Sequence, residues 1–176
     1  MSGTDRLNQV KLVVFDVDGV FTDGRKWQDV NGAWRRYFSV RDTMGIRALR
    51  KAGYRVAVVT SGASDEVRAH MAFVGVDEFN DGCFDKALTV TEMMARLGLE
   101  TSETAYVSED LCDAGLFEAI GFGVTVPTAR LELQRVARFV TSRSGGDGAV
   151  LEICNLILQH TQKGATQNRD PRVASL

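Results

Sequence analysis

Residues 11–24 read KLVVFDVDGVFTDG. An apolar run, Leu12 to Phe15, stops at a carboxylate, Asp16. A second carboxylate, Asp18, follows, then Gly19, and a third acid at Asp23. An unbroken apolar run bounded by a glycine turn predicts a strand covered on both faces, over Lys11–Val17. In open parallel sheets ligands bind outside the carboxyl ends of the strands, so acids at that end are placed for chemistry. Asp16 and Asp18 point the same way while the chain stays extended, and Gly19 lets the backbone turn sharply afterwards.

Outward from this segment, apolar runs predict further strands at Tyr54–Thr60, Thr104–Ser108, Gly121–Val126 and Arg138–Thr141. Helical patterns lie between them. DTMGIRALRKAG sets Met44, Ile46 and Leu49 roughly on one side, and SDEVRAHMAFVG opens with Ser64 as a cap. DKALTVTEMMARLG carries Leu88, Met93, Met94 and Leu97; DAGLFEAIG, TARLELQRVA and DGAVLEICNLILQH follow. Strand alternating with helix predicts an α/β fold, a parallel sheet with helices on both faces. One segment breaks the rhythm: residues 24–40 hold two strand-like halves around Asn31-Gly32, a dipeptide that favours a two-residue hairpin turn. The domain is expected over 10–162, after an N-terminal extension (1–9) and before a polar, mobile tail (163–176).

The sequence has 176 residues, with 44% apolar and 25% charged side chains, which fits one globular domain. A net charge of −2 with no basic block argues against a nucleic-acid partner. Cys83, Cys112 and Cys154 are widely separated and read as buried thiols in a reducing compartment. No stretch approaches 18 apolar residues and MSGTDRLNQV has no signal core, so a soluble cytoplasmic protein with no membrane partner is expected.

The other strand ends carry matching chemistry. VVTSG supplies the hydroxyls of Thr60 and Ser61, and TAYVSEDLCD ends in Glu109, Asp110 and Asp113, while Lys86 opens a helix between them. Several acids crowded with one ammonium would repel one another unless a divalent cation joined them. Oxygen ligands suit Mg²⁺, which takes one or two carboxylates with waters and substrate phosphate. A carboxylate can attack phosphorus, and a second acid can protonate the leaving alcohol and then activate water.

DVDGVFTDG resembles the D-x-D-G-x-x-x-D-G signature of haloacid dehalogenase-type phosphatases. Thr60, Lys86 and SEDLCD fall in the order of that family's later motifs. The phrases FSVRDTMGIR and GGDGAVLEICNLIL are similar to those of its capless branch, the 3-deoxy-D-manno-octulosonate 8-phosphate phosphatases. The resemblance spans roughly residues 10–160. It implies a three-layer Rossmann-like fold without a cap domain, and Mg²⁺-dependent hydrolysis of a small acidic sugar phosphate. By resemblance, Asp16 is the nucleophile and a metal ligand. Asp18 is the general acid/base, with its carbonyl on the metal, and Thr60 and Lys86 position phosphate and nucleophile. Either Glu109 or Asp110 completes the metal site. Ser39, Val40, Arg41, Asp42, Thr43 and Arg47 match substrate contacts, and Ser61 and His70 join them. The resemblance further implies a homotetramer meeting through the hairpin, where Trp27, Trp34, Tyr37 and Phe38 would be covered.

The sequence departs from the branch at four places. Glu109 stands where an aspartate is usual, and Gly62, His70 and Asp147 stand where arginines are usual. A nonulosonate 9-phosphate is therefore an alternative substrate, and a weakened homologue with a binding or regulatory role an alternative function. A receiver domain fits less well, because its phosphoacceptor lies on the third strand. Asp23 is expected to brace its loop, Glu92 and Arg96 to form a solvated pair, and Asp113 to cap its helix or support the site.

Overall fold

The structure, a computed structural model, describes residues 5–167, with side chains from Arg6 to His160. In chain order the elements are β1 (Leu12–Phe15), β2 (Trp27–Gln28), β3 (Trp34–Arg35), α1 (Val40–Lys51), β4 (Arg55–Val59), α2 (Asp65–Val74), β5 (Glu78–Asn80), α3 (Lys86–Leu97), β6 (Thr104–Val107), α4 (Ala114–Ala119), β7 (Phe122–Thr125), α5 (Leu131–Val136), β8 (Phe139–Val140) and α6 (Ala149–Gln167). Six strands form one parallel sheet in the order β5-β4-β1-β6-β7-β8. The α/β class, the central parallel sheet and the projecting hairpin agree with the sequence reading.

Period-two alternation in β1 builds the two cores. Val13 and Phe15 pack with Ile46 and Leu49 of α1, Met71 of α2 and Ile153 of α6. Leu12 and Val14 face the other way, towards Val90 and Met93 of α3, Phe117 of α4 and Leu133 of α5. Both faces are covered, which is why the strand is apolar throughout. Phe15 pairs with Val58 on one side and Val107 on the other, so the carboxyl ends of β1, β4 and β6 lie level.

Several local expectations are corrected. β5 has no counterpart in the sequence reading: it is three half-buried residues, too short to show a period. Met44 and Leu88 are exposed, and Val90 takes the core position on α3. Ser64 sits at the N-cap of α2 without a side-chain bond, whereas Asp85 caps α3 by accepting the Leu88 amide. Arg96 donates to both oxygens of Glu78 on β5 (3.1 and 2.6 Å) rather than pairing along its own helix. The hairpin turn is wider than Asn31-Gly32 alone. The Asp29 amide donates to the Ala33 carbonyl, and Gly32 (φ +79°) is left-handed while Asn31 is not. This is a three-residue loop with a bulge. The Asp29 carboxylate holds it open by accepting from the Asn31 and Ala33 amides and from Arg35. Within the expected N-terminal extension, Leu7 is buried in the core beside α6. α6 itself runs five residues into the expected tail, whose remainder, 168–176, lies outside the described residues. Among the described residues all three cysteines are free; Cys154 is buried, Cys83 half-buried and Cys112 exposed. No helix of these residues is long and apolar enough to cross a membrane.

α1 and α6 are joined by Asp42, which is buried and accepts the Leu151 amide (2.9 Å) in the first turn of α6. Burial drives its pKa up to about 6, against the pull of the Leu151, Gly148 and Val150 amides and with a push from Asp147. Its model-peptide value is 3.8. With the folded value above the unfolded one, the Asp42 contribution is fully present below about pH 4 and is lost as pH rises through about 6. Asp42→Asn removes that titration, and other groups cancel in the comparison. Between pH 4 and pH 7.5 the urea-derived stability of the variant should therefore gain on that of the wild type, by up to about 3 kcal/mol. A difference that stays constant with pH would contradict this.

Candidate active site

Asp16 begins where β1 stops. Its amide still donates to the Val107 carbonyl, which fixes its direction, and the residue is 5% exposed. The Val17 amide donates to Oδ1 (2.7 Å), and Lys86 Nζ, from the first turn of α3, donates to Oδ2 (2.7 Å). Lys86 also donates to Asp113 Oδ2 (3.0 Å). That same oxygen accepts from Ser108 Oγ (2.6 Å) and Tyr106 Oη (2.9 Å). Asp113 makes no cap bond to α4, so the helix-cap alternative gives way to a bonded role inside the site. Asp16 Oδ1 keeps an unused lone-pair direction for a ligand, whereas Oδ2 also lies 3.4 Å from Ser108 Oγ.

The electrostatics follow from burial. Burial raises the Asp16 pKa, Lys86 and the Val17 amide pull against it, and Asp113 adds to the rise. For Lys86 burial disfavours the charge, but Asp16 and Asp113 outweigh it and its pKa is raised. Burial and the same two carboxylates push the Tyr106 phenol far up, so it stays a proton donor.

Asp18 is held from the hairpin side. Arg36 donates to both its oxygens (2.7 and 3.2 Å), and Lys26 Nζ lies 3.2 Å away. Burial raises the Asp18 pKa, but Arg36 and Lys26 outweigh it and the net value is lowered. Arg36 is itself buried and pairs with Glu66 of α2 (3.6 Å). Glu66 in turn accepts the Arg36 amide (2.7 Å). Thr22 Oγ1 completes the turn, bonding Asp18 (3.5 Å) and accepting the Gly24 amide (3.2 Å). Asp23 braces its loop by accepting the Arg25 amide. Arg36, Lys26, Glu66, Tyr106 and Ser108 were not singled out from sequence as site residues. Arg36 meets Asp18 and Glu66 across distant segments, while Tyr106, Ser108 and Lys26 meet nearby acids only through irregular turns, so no helix or strand period marks them.

Glu109 reaches back over the turn. A Cβ built on Gly19 would overlap the Glu109 carboxyl as it now lies, and the positive φ of +79° itself favours glycine there. Thr128 Oγ1 donates to Glu109 (3.4 Å). The Glu109 pKa is raised by burial first, with Thr128 opposing and with repulsion from Asp16, Asp18 and Asp110. Asp110 instead accepts the Cys112 amide (3.0 Å). Among the described residues no three His, Cys, Asp or Glu side chains converge as a ready-made metal cage. Magnesium needs fewer, taking one or two carboxylates and filling its shell with carbonyls, waters and phosphate. Four mutually repelling acids with hard oxygen donors fit such an ion.

Asp16, Asp18, Thr60, Ser61, Lys86, Glu109 and Asp110 line one open cavity of about 590 Å³, with Gly62, Cys112 and Arg130 at its wall. The other residues singled out from sequence do not line it. Ser39 is the N-cap of α1, without a side-chain bond, and Val40 is exposed. Asp42 and Thr43 are buried. Arg41 lines a separate cavity with Arg143 and Asp147. Arg47 lies over the Phe73 ring and donates to the Phe73 carbonyl. His70 stacks on Phe38 (3.8 Å between centroids), and burial lowers its pKa.

A parallel sheet whose central strand ends in Asp-x-Asp-Gly, with a distant lysine seated on the first aspartate, is the framework of the haloacid dehalogenase-type phosphatases. No family model matches the sequence. It is, however, 34% identical over 160 residues to the 3-deoxy-D-manno-octulosonate 8-phosphate phosphatase of Haemophilus influenzae, covering 91% of this chain and 89% of that one. The fold matches the Moraxella catarrhalis enzyme of that name, solved in complex with magnesium ion, phosphate ion and a KDO molecule. The TM-score is 0.88 at 30% identity, over 94% of this chain and 95% of that one. A cobalt-bound form of the Haemophilus influenzae enzyme matches with a TM-score of 0.85 at 34% identity, over 93% and 95%. The chain belongs to the family of 3-deoxy-D-manno-octulosonate 8-phosphate phosphatases.

Asp113→Ala strips a shared acceptor from three buried donors. It should lower the unfolding free energy by about 1–3 kcal/mol for each donor left unsatisfied, read by urea denaturation. Tyr106→Phe, which removes one donor and leaves the rest paired, should lower it by about 1 kcal/mol.

Proposed function

We propose that this protein hydrolyses a small acidic sugar phosphate, of the 3-deoxy-D-manno-octulosonate 8-phosphate or nonulosonate 9-phosphate kind, through an aspartyl phosphate on Asp16. The observation that carries the reading is the buried Asp16–Lys86 pair at the floor of the cavity. Asp16 attacks phosphorus, and a bond forms from its carboxylate oxygen as the bond to the sugar oxygen breaks. Asp18 gives its proton to the departing alkoxide. In the second half Asp18 takes a proton from water, whose oxygen attacks phosphorus, releasing phosphate and returning the Asp16 carboxylate. Arg36 and Lys26 favour the ionised form of Asp18, which suits the base. An incoming phosphoryl dianion raises Asp18 proton affinity and restores the acid. Thr60 and Ser61 bind phosphoryl oxygens, and Lys86 holds Asp16 in line.

A magnesium ion bound by Asp16, the Asp18 carbonyl and one acid of the Glu109-Asp110 pair would supply charge neutralisation for the phosphoryl group. The position of the Glu109 carboxyl against Gly19, with Asp110 engaged by the Cys112 amide, favours Glu109 as the direct ligand.

The exposed hairpin suits a homotetramer. Val30 is fully exposed, Trp34 58% and Tyr37 71%, an apolar surface that association would remove from water. Substrate contacts by Val40, Arg41 and Arg47, which lie outside the cavity of their own chain, belong to such an assembly.

Asp16→Asn should abolish magnesium-dependent phosphate release from 3-deoxy-D-manno-octulosonate 8-phosphate, a loss of about 10³-fold or more. The variant should bind the substrate and form no acid-stable phosphoenzyme; retained turnover would overturn the assignment of the nucleophile. Light scattering should give a tetramer that Trp34→Glu dissociates, and a monomeric wild type would refute the hairpin interface.

A further inference from the structure

We infer that Arg130 is the residue that binds the carboxylate of the substrate and so sets the preference for acidic sugar phosphates; this rests on the phosphatase reading above. Two cations line the cavity, Lys86 and Arg130. Lys86 is spent on Asp16 and Asp113 (2.7 and 3.0 Å) and is buried, so it has no reach to a second anionic group. The Arg130 side chain is 70% exposed. It pairs with Glu132 at 3.7 Å, itself 55% exposed, too loose and too wet a contact to hold a guanidinium against a competing carboxylate. Of the neighbouring hairpin's cations, Arg36 and Lys26 are held by Asp18 and Arg35 by Asp29, and Arg25, loosely paired with Asp23, does not line the cavity.

The base of Arg130 is held by backbone hydrogen bonds while its tip is exposed and only loosely paired. Arg130 is the N-cap residue of α5, and its carbonyl accepts the Leu133 and Gln134 amides. Gln134 Nε2 ties the preceding loop by donating to the Pro127 carbonyl (3.1 Å) and the Ala129 carbonyl (2.8 Å). The Ala129 amide closes a turn onto Val126 (3.1 Å). A fixed backbone leaves only the side-chain torsions to be ordered on binding. The planar fork of a guanidinium matches a carboxylate with two parallel bonds. In the chain order of the fold, Arg130 follows β7, across β6 from the phosphoryl floor at Asp16 and Thr60. Phosphoryl and carboxylate can thus be held from two sides of one cavity.

The test compares kcat/KM for 3-deoxy-D-manno-octulosonate 8-phosphate with that for a neutral sugar phosphate, mannose 6-phosphate, in wild type, Arg130→Ala and Arg130→Lys. The acidic-to-neutral ratio should fall about ten- to a hundredfold in Arg130→Ala, mainly through KM for the acidic substrate, as loss of a charge-assisted pair implies. Arg130→Lys should recover part of it. Calorimetry with the free sugar acid, 3-deoxy-D-manno-octulosonate, should show the same loss of affinity in Arg130→Ala without any turnover. A wild type active on both phosphates whose ratio is unchanged by Arg130→Ala overturns the Arg130 assignment alone. A wild type that hydrolyses neither overturns the phosphatase reading; calorimetry then decides on Arg130 separately, and equal affinity in both proteins refutes it.

Discussion

A lysine buried between two aspartates is the constraint around which this molecule is arranged. Lys86 opens α3, where a cation faces the positive end of the helix dipole, an unfavourable place by about 0.3–1 kcal/mol. It stays there because Asp16 at the end of β1 and Asp113 beyond β6 each accept from it. One ammonium thereby pins three segments from distant parts of the sequence. Burying such charges adds little net stability, since desolvation offsets most of their attraction, whereas removing one partner strands the others in an apolar setting. An apolar trio of similar size would fold as well. What it could not do is present a carboxylate oxygen, with a fixed direction, to the floor of a cavity.

The hairpin belongs to the same system. Its end carries Arg36 into the protein, where a bidentate pair with Asp18 and a second contact with Glu66 join the β1 turn to α2. These contacts tie the hairpin, the Asp18 turn and the start of α2 into one network. The network also explains why a strand end can carry Asp16, Asp18, Glu109 and Asp110 within one cavity: part of the repulsion is met by cations that come in from the side. The remainder, felt at Glu109, is what a divalent ion is suited to relieve.

What the sequence makes legible follows the range of the interactions. Continuous apolar runs placed β1, β4, β6 and β7, because burial on both faces leaves a local mark. β5 left none: three residues, all half-buried, carry too little apolar character. Asp16, Asp18, Thr60 and Lys86 could be singled out because each sits at the junction of a strand or helix with a turn, where residue type and spacing speak together. Tyr106 and Ser108 lie on or next to a strand that otherwise reads as core, and their polar ends find partners only once the fold brings Asp113, and for Ser108 also Asp16, against them. Arg36 is one of several basic residues in a polar hairpin, and Arg130 one of several near α5. Nothing within ten residues of either distinguishes it from a solvated charge. The Asn31-Gly32 turn shows the reverse limit: the dipeptide marks a hairpin, but the Asp29 carboxylate, by capping the loop, selects a wider turn than the dipeptide alone would form.

The departures at Gly62, His70 and Asp147 acquire a different meaning once side chains have positions. His70 lies flat against Phe38, and Asp147 faces Arg143 at 3.9 Å, so neither offers a free positive group to the cavity. At Gly62 the geometry is telling: a Cβ there would stand 4.0 Å from Arg36 Nη2. The guanidinium of Arg36, delivered from the hairpin, thus lies close to the loop after β4. A guanidinium arriving from the hairpin comes already paired to Asp18, so it tunes the acid/base more than it grips a ligand. Recognition of a distal carboxylate is then left to a cation that is not so engaged. The contrast between a buried arginine paired with Asp18 and an exposed, loosely paired arginine at the cavity wall follows from where each guanidinium finds its partners.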